Sequence, residues 1–150
     1  MTDTIARYHA YAAAFEAAYA SDDWSRLEPY FTPDAVADLN GTVVRGRDAV
    51  LTAFRTAVTI FDRRFDSRRV RLVEGPTREG GRVHTKAVAV YERDALPALE
   101  LQGEEWFTFA GDRICHHVDR VLNLPDVMAF LASHAGALRP FAATATSTAA

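Results

Sequence analysis

Four apolar stretches crowd the second half of this chain, at Val70–Glu74, Val83–Glu92, Leu99–Phe109 and Ile114–Leu122, and the links between them are short. Those links hold Gly75-Pro76, Gly80-Gly81, the Asp94–Pro97 segment and the Ala110–Asp112 turn. Parallel neighbours need a crossover of about a dozen residues or more, so links of this length dictate an antiparallel meander. A meander is a sheet, and a sheet must bury a face against something.

The first half supplies the cover. Ile5, Tyr8, Ala12, Phe15 and Tyr19 recur at spacings of three and four, which gives one helix an apolar stripe. Ser21-Asp22-Asp23 ends that helix and caps a second, short one at about Trp24–Tyr30. Phe31-Thr32-Pro33-Asp34 reads as a turn, after which Ala35–Asp38 and Thr42–Arg45 form a small hairpin across Asn40-Gly41. A third helix follows Gly46, with Val50, Phe54, Val58, Phe61 and Phe65 on one stripe. Pro125 suits the first turn of a last helix, with Val127, Phe130 and Leu131 for packing, and a small-residue tail occupies 141–150.

Helices first and a long antiparallel sheet afterwards make an α+β fold with one domain over 1–140. The strongly curved antiparallel sheet wraps as a cone around three N-terminal-half helices, with a short C-terminal helix behind them. The space between helices and concave face suits an apolar small molecule. On the convex face, Trp106, His116 and Val118 form a mixed apolar surface that a second copy would cover, which predicts a homodimer.

A formal charge of −3 gives no general attraction to nucleic acid or anionic membrane, and no apolar run reaches membrane-spanning length. The basic cluster Arg63, Arg64, Arg68, Arg69 and Arg71 is interrupted by Asp62 and Asp66 and has no aromatic ladder, so it reads as a solvated helix end. The start MTDTIARYHAY lacks the features of a secretory signal, and Cys115 is the only cysteine, so a cytoplasmic location is the expectation. No phosphate-binding glycine pattern or serine nucleophile elbow occurs.

Chemistry concentrates in the hairpin GEEWFTFAGDRICHHVDRV, Gly103–Val121. Strand alternation puts Cys115, His117, Asp119 and Val121 on one face and Ile114, His116, Val118 and Arg120 on the other. Adjacent histidines then point to opposite faces and cannot share an ion, so neither a metal nor an organic cofactor is expected.

Three segments, DDWSRLEPYFTPDAV, RGRDAVLTAF and GEEWFTFAGDRICHHVD, resemble the nuclear transport factor 2-like superfamily and within it the SnoaL-like, polyketide cyclase-like branch. The resemblance implies a cone-shaped α+β domain with a deep pocket and dimerisation through the sheet. It implies no single activity, since that superfamily spans cyclases, ketosteroid isomerases, epoxide hydrolases, dehydratases and subunits without a known reaction. It places a pocket-facing acid near the end of the last strand, at Asp119. The isomerase pattern fails, because its base position falls on Leu39 and its first-helix tyrosine on Phe15, while Asp38 points to the other face. The Arg-x-Asp pair of epoxide hydrolases is missing from VHTKAVAVYE.

The expected site is therefore Asp119 as general acid–base group in a pocket lined by Phe15, Tyr19, Phe54, Phe61 and Phe107. His117 on the same face would hydrogen-bond a substrate carbonyl, and Glu105 on the neighbouring strand would join or oppose it. The matching function is an acid–base enzyme of cyclase, isomerase or dehydratase type acting on an apolar carbonyl-bearing or polycyclic compound. The alternative is a ligand-binding or dimerisation module without catalysis, with Asp119 bonded to backbone or to Arg120 or Arg47 and His117 a satisfied core residue.

Overall fold

The computed structural model describes residues 2–141. Helix α1 (Thr4–Ser21) starts where the Asp3 carboxylate accepts the free N–H groups of Ile5 and Ala6, and stops where Asp22 turns left-handed at φ 57°. Asp23 then caps a 3-10 helix, Trp24–Tyr30, which buries Trp24 and Leu27. The expected turn at Phe31–Asp34 is instead the beginning of strand β1 (Phe31–Leu39). Pro33 has no N–H for a ladder, and the strand absorbs it as a bulge: Thr32–Ala35 lie opposite the single Cys115 of the neighbouring strand. Asn40 and Gly41, both at positive φ, then reverse the chain into β2 (Thr42–Arg45).

Helix α2 (Arg47–Ile60) buries Val50, Leu51, Phe54 and Val58. Its apolar stripe ends sooner than the spacing predicts. The chain leaves the helix after Ile60 and tightens through Asp62–Arg64, so Phe61 and Phe65 turn away to pack on Tyr91 with ring centres 5.1 Å from it. The meander follows as β3 (Ser67–Glu79), β4 (Arg82–Glu92), β5 (Leu99–Ala110) and β6 (Arg113–Val121), and α3 (Leu124–His134) closes the fold with proline in its first turn. Gly75-Pro76 lies within β3, at a register break, and the β3–β4 link is Gly80-Gly81 alone. The six strands run in the order β2-β1-β6-β5-β4-β3. All neighbours are antiparallel except β1 and β6, which are parallel.

One bulge changes the assignment of faces. Phe109 pairs with Ile114 and Thr108 with His116, which leaves Cys115 as an extra residue whose thiol donates to the Thr108 carbonyl at 3.5 Å. Ile114 therefore joins His117 and Asp119 on the helix-covered side, fully buried, and not the convex face that simple alternation predicts.

Two apolar clusters occupy the concave face. The first, beneath α1, the 3-10 helix and α2, centres on Phe31, Phe54, Phe107 and Ile114; the second, beneath α3, contains Phe65, Tyr91, Leu99 and Val127. Between them the sheet is only half covered. Among the described residues no helix is long and apolar enough to cross a membrane, and of the tail at 141–150 all but Phe141 lies outside them.

Candidate active site

Register decides which groups meet. Across the concave face, Thr85 of β4 pairs with Glu105 of β5, Glu105 with Asp119 of β6, and Asp119 with Leu39 of β1. One step along the strands, Val83, Phe107, His117 and Ala37 form the next row. Two carboxylates thus stand directly opposite one another at the rim of the first cluster, the least favourable cross-strand arrangement for two ionised groups. His117 relieves part of the conflict: its Nε2 lies 2.7 Å from Glu105 Oε2.

The surroundings grade from wet to dry. The Glu105 side chain keeps 31% of its exposure while that of His117 keeps 3%. The imidazole is stacked on Phe107, with centroids 4.6 Å apart and planes within 9°, and Phe54 meets its edge at 5.7 Å. Burial alone would pull the His117 pKa down, but the hydrogen bond and charge of Glu105 outweigh it and the pKa is raised. Protonated, His117 presents a buried Nδ1–H, and that atom has no hydrogen-bond partner among the described residues. Asp119 moves the same way for a different reason: burial first and the facing Glu105 charge second lift its carboxyl from the ordinary 3.8 to about 6.

The strand end that carries Asp119 is held from the other face. Arg120 grips Asp38 through two contacts of 3.0 and 2.9 Å and donates to the Asp119 carbonyl at 3.0 Å. Asn40 adds its own N–H to that carbonyl and accepts from the Val121 N–H. The Arg120 guanidinium therefore serves the Asp119 backbone, and Arg120 tempers the Asp119 carboxylate only through its charge and its backbone N–H. Leu39, at the isomerase base position, pairs with Asp119 in register, and Asp38 sits on the opposite face.

Of the aromatic residues expected around the site, Phe54 and Phe107 touch His117, and Phe15 lies one ring behind, against Phe54 at 6.0 Å. Tyr19 and Phe61 are not brought there. Tyr19 is held beneath the guanidinium groups of Arg63 and Arg68, and Phe61 belongs to the second cluster. Two tyrosines complete the site, Tyr8 from the predicted apolar stripe and Tyr11 beside it. Tyr8 and Tyr11 pack on Phe107 at 5.2 and 5.4 Å, and burial together with the Glu105 charge pushes Tyr8 up to about 12 and Tyr11 well above its ordinary value. Both remain neutral phenols. Tyr11 follows Tyr8 by three and precedes Phe15 by four, so its place on the stripe was readable.

The surface also carries depressions of about 410 Å³, between Asp66 and the Arg93–Ala98 segment, and 200 Å³, between the 3-10 helix and α2. Neither contains Glu105, His117 or Asp119: the two carboxylates stand at the rim of the first cluster and His117 is buried against its Phe54 and Phe107. Four of the five clustered arginines are tied to protein acceptors, Arg63 to the Tyr19 carbonyl, Arg64 to that of Arg139, Arg68 to Glu16 and Asp62, and Arg69 to Glu92. Among the described residues no group of three His, Cys, Asp or Glu side chains is gathered to hold a metal.

Residues 11–117 match the family profile of the SnoaL-like domain. The chain belongs to this family. No curated protein matches it. Solved structures share the SnoaL-like architecture at low identity. Bal32a, from a soil-derived mobile gene cassette, superposes with a TM-score of 0.64 at 19% identity, covering 85% of this chain and 98% of its own. A SnoaL-like candidate polyketide cyclase from Jannaschia sp. CCS1 also gives 0.64, at 14% identity over 89% of this chain and 96% of its own. IdmH, a candidate polyketide cyclase from Streptomyces antibioticus, gives 0.60 at 21% identity, covering 83% and 97%. These likenesses establish the fold of the SnoaL-like domain; Asp119 itself lies two residues beyond the family match.

Proposed function

We propose that this SnoaL-like domain is an acid–base enzyme that abstracts and returns a proton beside the carbonyl of an apolar small molecule, in the manner of a cyclase, isomerase or dehydratase. The observation that carries the reading is the cross-strand pair Glu105–Asp119, with the buried His117 bonded to Glu105. Asp119 is the base. With a pKa of about 6 it is largely ionised at neutral pH, yet basic enough to take a proton, because the best general base has a pKa near the working pH. In the step, Asp119 Oδ takes the α-proton, the C–H electron pair moves into the enolate, and the positive charge of the buried His117 ring beside the site offsets the developing negative charge without touching it. Glu105 hydrogen-bonds that imidazole and favours its protonated form. Return of the proton from Asp119, to the same or a conjugated carbon, restores the enzyme.

IdmH and the Jannaschia protein, both named as candidate polyketide cyclases, support the substrate class, a carbonyl-bearing ring compound. The reading also includes a homodimer through the convex face, where Val118 and Trp106 are half-buried and His116 is exposed. The test uses 2-tetralone, a neutral ring ketone, in D2O. The native protein should speed deuterium uptake at its α-carbons and Asp119→Asn should not; equal rates for the two proteins would overturn the reading.

A further inference from the structure

The middle of β5 holds a glycine that the strand itself does not need. Gly103 pairs with Ala87 on one side and Val121 on the other, and the register runs through it unbroken toward β4 and β6, so it marks no bulge. Its φ is not in the left-handed range, and a Cβ built on it meets only the Ala87 carbonyl at 3.9 Å and that of Arg120 at 4.0 Å, ordinary contacts with neighbouring strands. Glycine at such a position weakens a strand, since it loses the most conformational freedom on folding and packs nothing. Neither backbone conformation nor crowding explains it. What remains is close approach of something that lies on the sheet there.

The surroundings define that something. Gly103 lies one row beyond Glu105 and Asp119 on the concave face, and its row, Ala87–Gly103–Val121, lies at the edge of the second apolar cluster, against which Val121 packs. The next row adds Ala89 and Leu101, and Leu72 of β3 stands beside Ala87 at 42% exposure. Ala87 and Ala89 beside a bare backbone, flanked by Val121, Leu101 and Leu72, make an apolar shelf that runs up to the two carboxylates. Two basic side chains on this face are already paired, His117 with Glu105 and Arg68 with Glu16 and Asp62. An anionic ligand would meet carboxylates with no free countercharge.

We infer that Gly103 is a specificity-determining residue, whose missing side chain lets a neutral, flat ring system lie against β5 with its carbonyl end at Asp119. This rests on the acid–base reading for the direction in which the ligand points. It adds the shape and charge of the ligand and the residue that selects them.

The experiment titrates Nile red, a flat, neutral, carbonyl-bearing dye, into the native protein, Gly103→Ala and Gly103→Val, with the anionic dye 1-anilinonaphthalene-8-sulfonate in parallel. Native protein should bind Nile red more tightly than the sulfonate. Gly103→Val should weaken Nile red binding roughly tenfold or more, with Gly103→Ala between, because added methyl groups overfill a fitted surface. Both variants should melt no lower than the native protein, since valine and alanine suit a strand interior better than glycine. If Gly103→Val loses its fold by circular dichroism, Gly103→Ala carries the test, with a weakening of about twofold or more required. Unchanged affinity in the folded variants, absent Nile red binding, or equal affinity for the sulfonate each overturns the inference. Deuterium exchange into 2-tetralone reads the acid–base proposal separately, so Gly103-dependent Nile red binding without Asp119-dependent exchange marks failure of that proposal alone, and loss of the Gly103 dependence marks failure of the shelf.

Discussion

Replacing Glu105 by Gln removes one charge from the concave row and keeps the side-chain shape. Directly opposed residues hold their Cβ atoms about 5 Å apart. Two charges roughly 6 Å apart at an effective dielectric of about 20 repel by about 3 kcal/mol, the equivalent of about 2 pKa units. That is an upper figure. Asp119 is displaced only from 3.8 to about 6, burial is the larger cause, and the half-open Glu105 side chain is partly screened. Glu105→Gln also takes the charged partner from His117, whose own burial then draws its pKa down, and a neutral His117 no longer favours the ionised Asp119. The Glu105 charge outweighs that of His117 at Asp119, so the sum keeps its sign. Carboxyl-detected 13C NMR titration should show the Asp119 pKa falling by roughly 0.5–1 unit in Glu105→Gln, with His117 falling alongside. An Asp119 pKa that stays put or rises in the variant would refute the claim that the two carboxylates face each other.

Two further outcomes follow from the same groups. A folded pKa raised above the unfolded one favours the fold fully below pH 3.8 and loses that favour as pH rises through about 6, so ionising Asp119 costs about 3 kcal/mol of stability at pH 8. Asp119→Asn should therefore unfold at higher denaturant than the native protein at pH 8, with the advantage gone near pH 4; equal midpoints at pH 8 would show that Asp119 is not held in a dry, like-charged setting. Val118→Glu, placing a charge at the centre of the convex face, should shift the sedimentation coefficient from dimer to monomer while leaving far-UV circular dichroism unchanged, and a dimer that survives it would remove the convex face as the interface.

The layout of the fold was legible because two periods stand out. Alternating apolar residues with short links announce the meander, and the spacings of three and four in Ile5–Tyr19 and Val50–Val58 announce α1 and α2. Local irregularities were less visible. The alternation in Ile114–Val121 reads equally well with or without an extra residue, and only the burial of Ile114 beneath the helices selects the bulge at Cys115. Thr32-Pro33-Asp34 carries turn chemistry that the sheet overrides by bulging β1. The helical stripe running on through Phe61 and Phe65 hid the end of α2, since apolar residues in the following turn kept the same spacing for a different cluster.

For the site, strand parity placed Glu105, His117 and Asp119 on one face, but which of them oppose one another depends on register, and that is set at the Gly111-Asp112 turn and corrected by the bulge. The pairing of Arg120 with Asp38 was equally hidden, because it joins strands far apart in sequence. Tyr11 fits the buried stripe by its spacing from Tyr8 and Phe15, although Ala12 in the same turn fits it from Tyr8 as well.

The most direct measurement is the pH profile of α-deuterium exchange into 2-tetralone. The account predicts that the rate supplied by the native protein rises through one ionisation near pH 6, that this midpoint moves down in Glu105→Gln, and that the rate is lost in Asp119→Asn. A profile flat across pH 6, or exchange undiminished in Asp119→Asn, would contradict it.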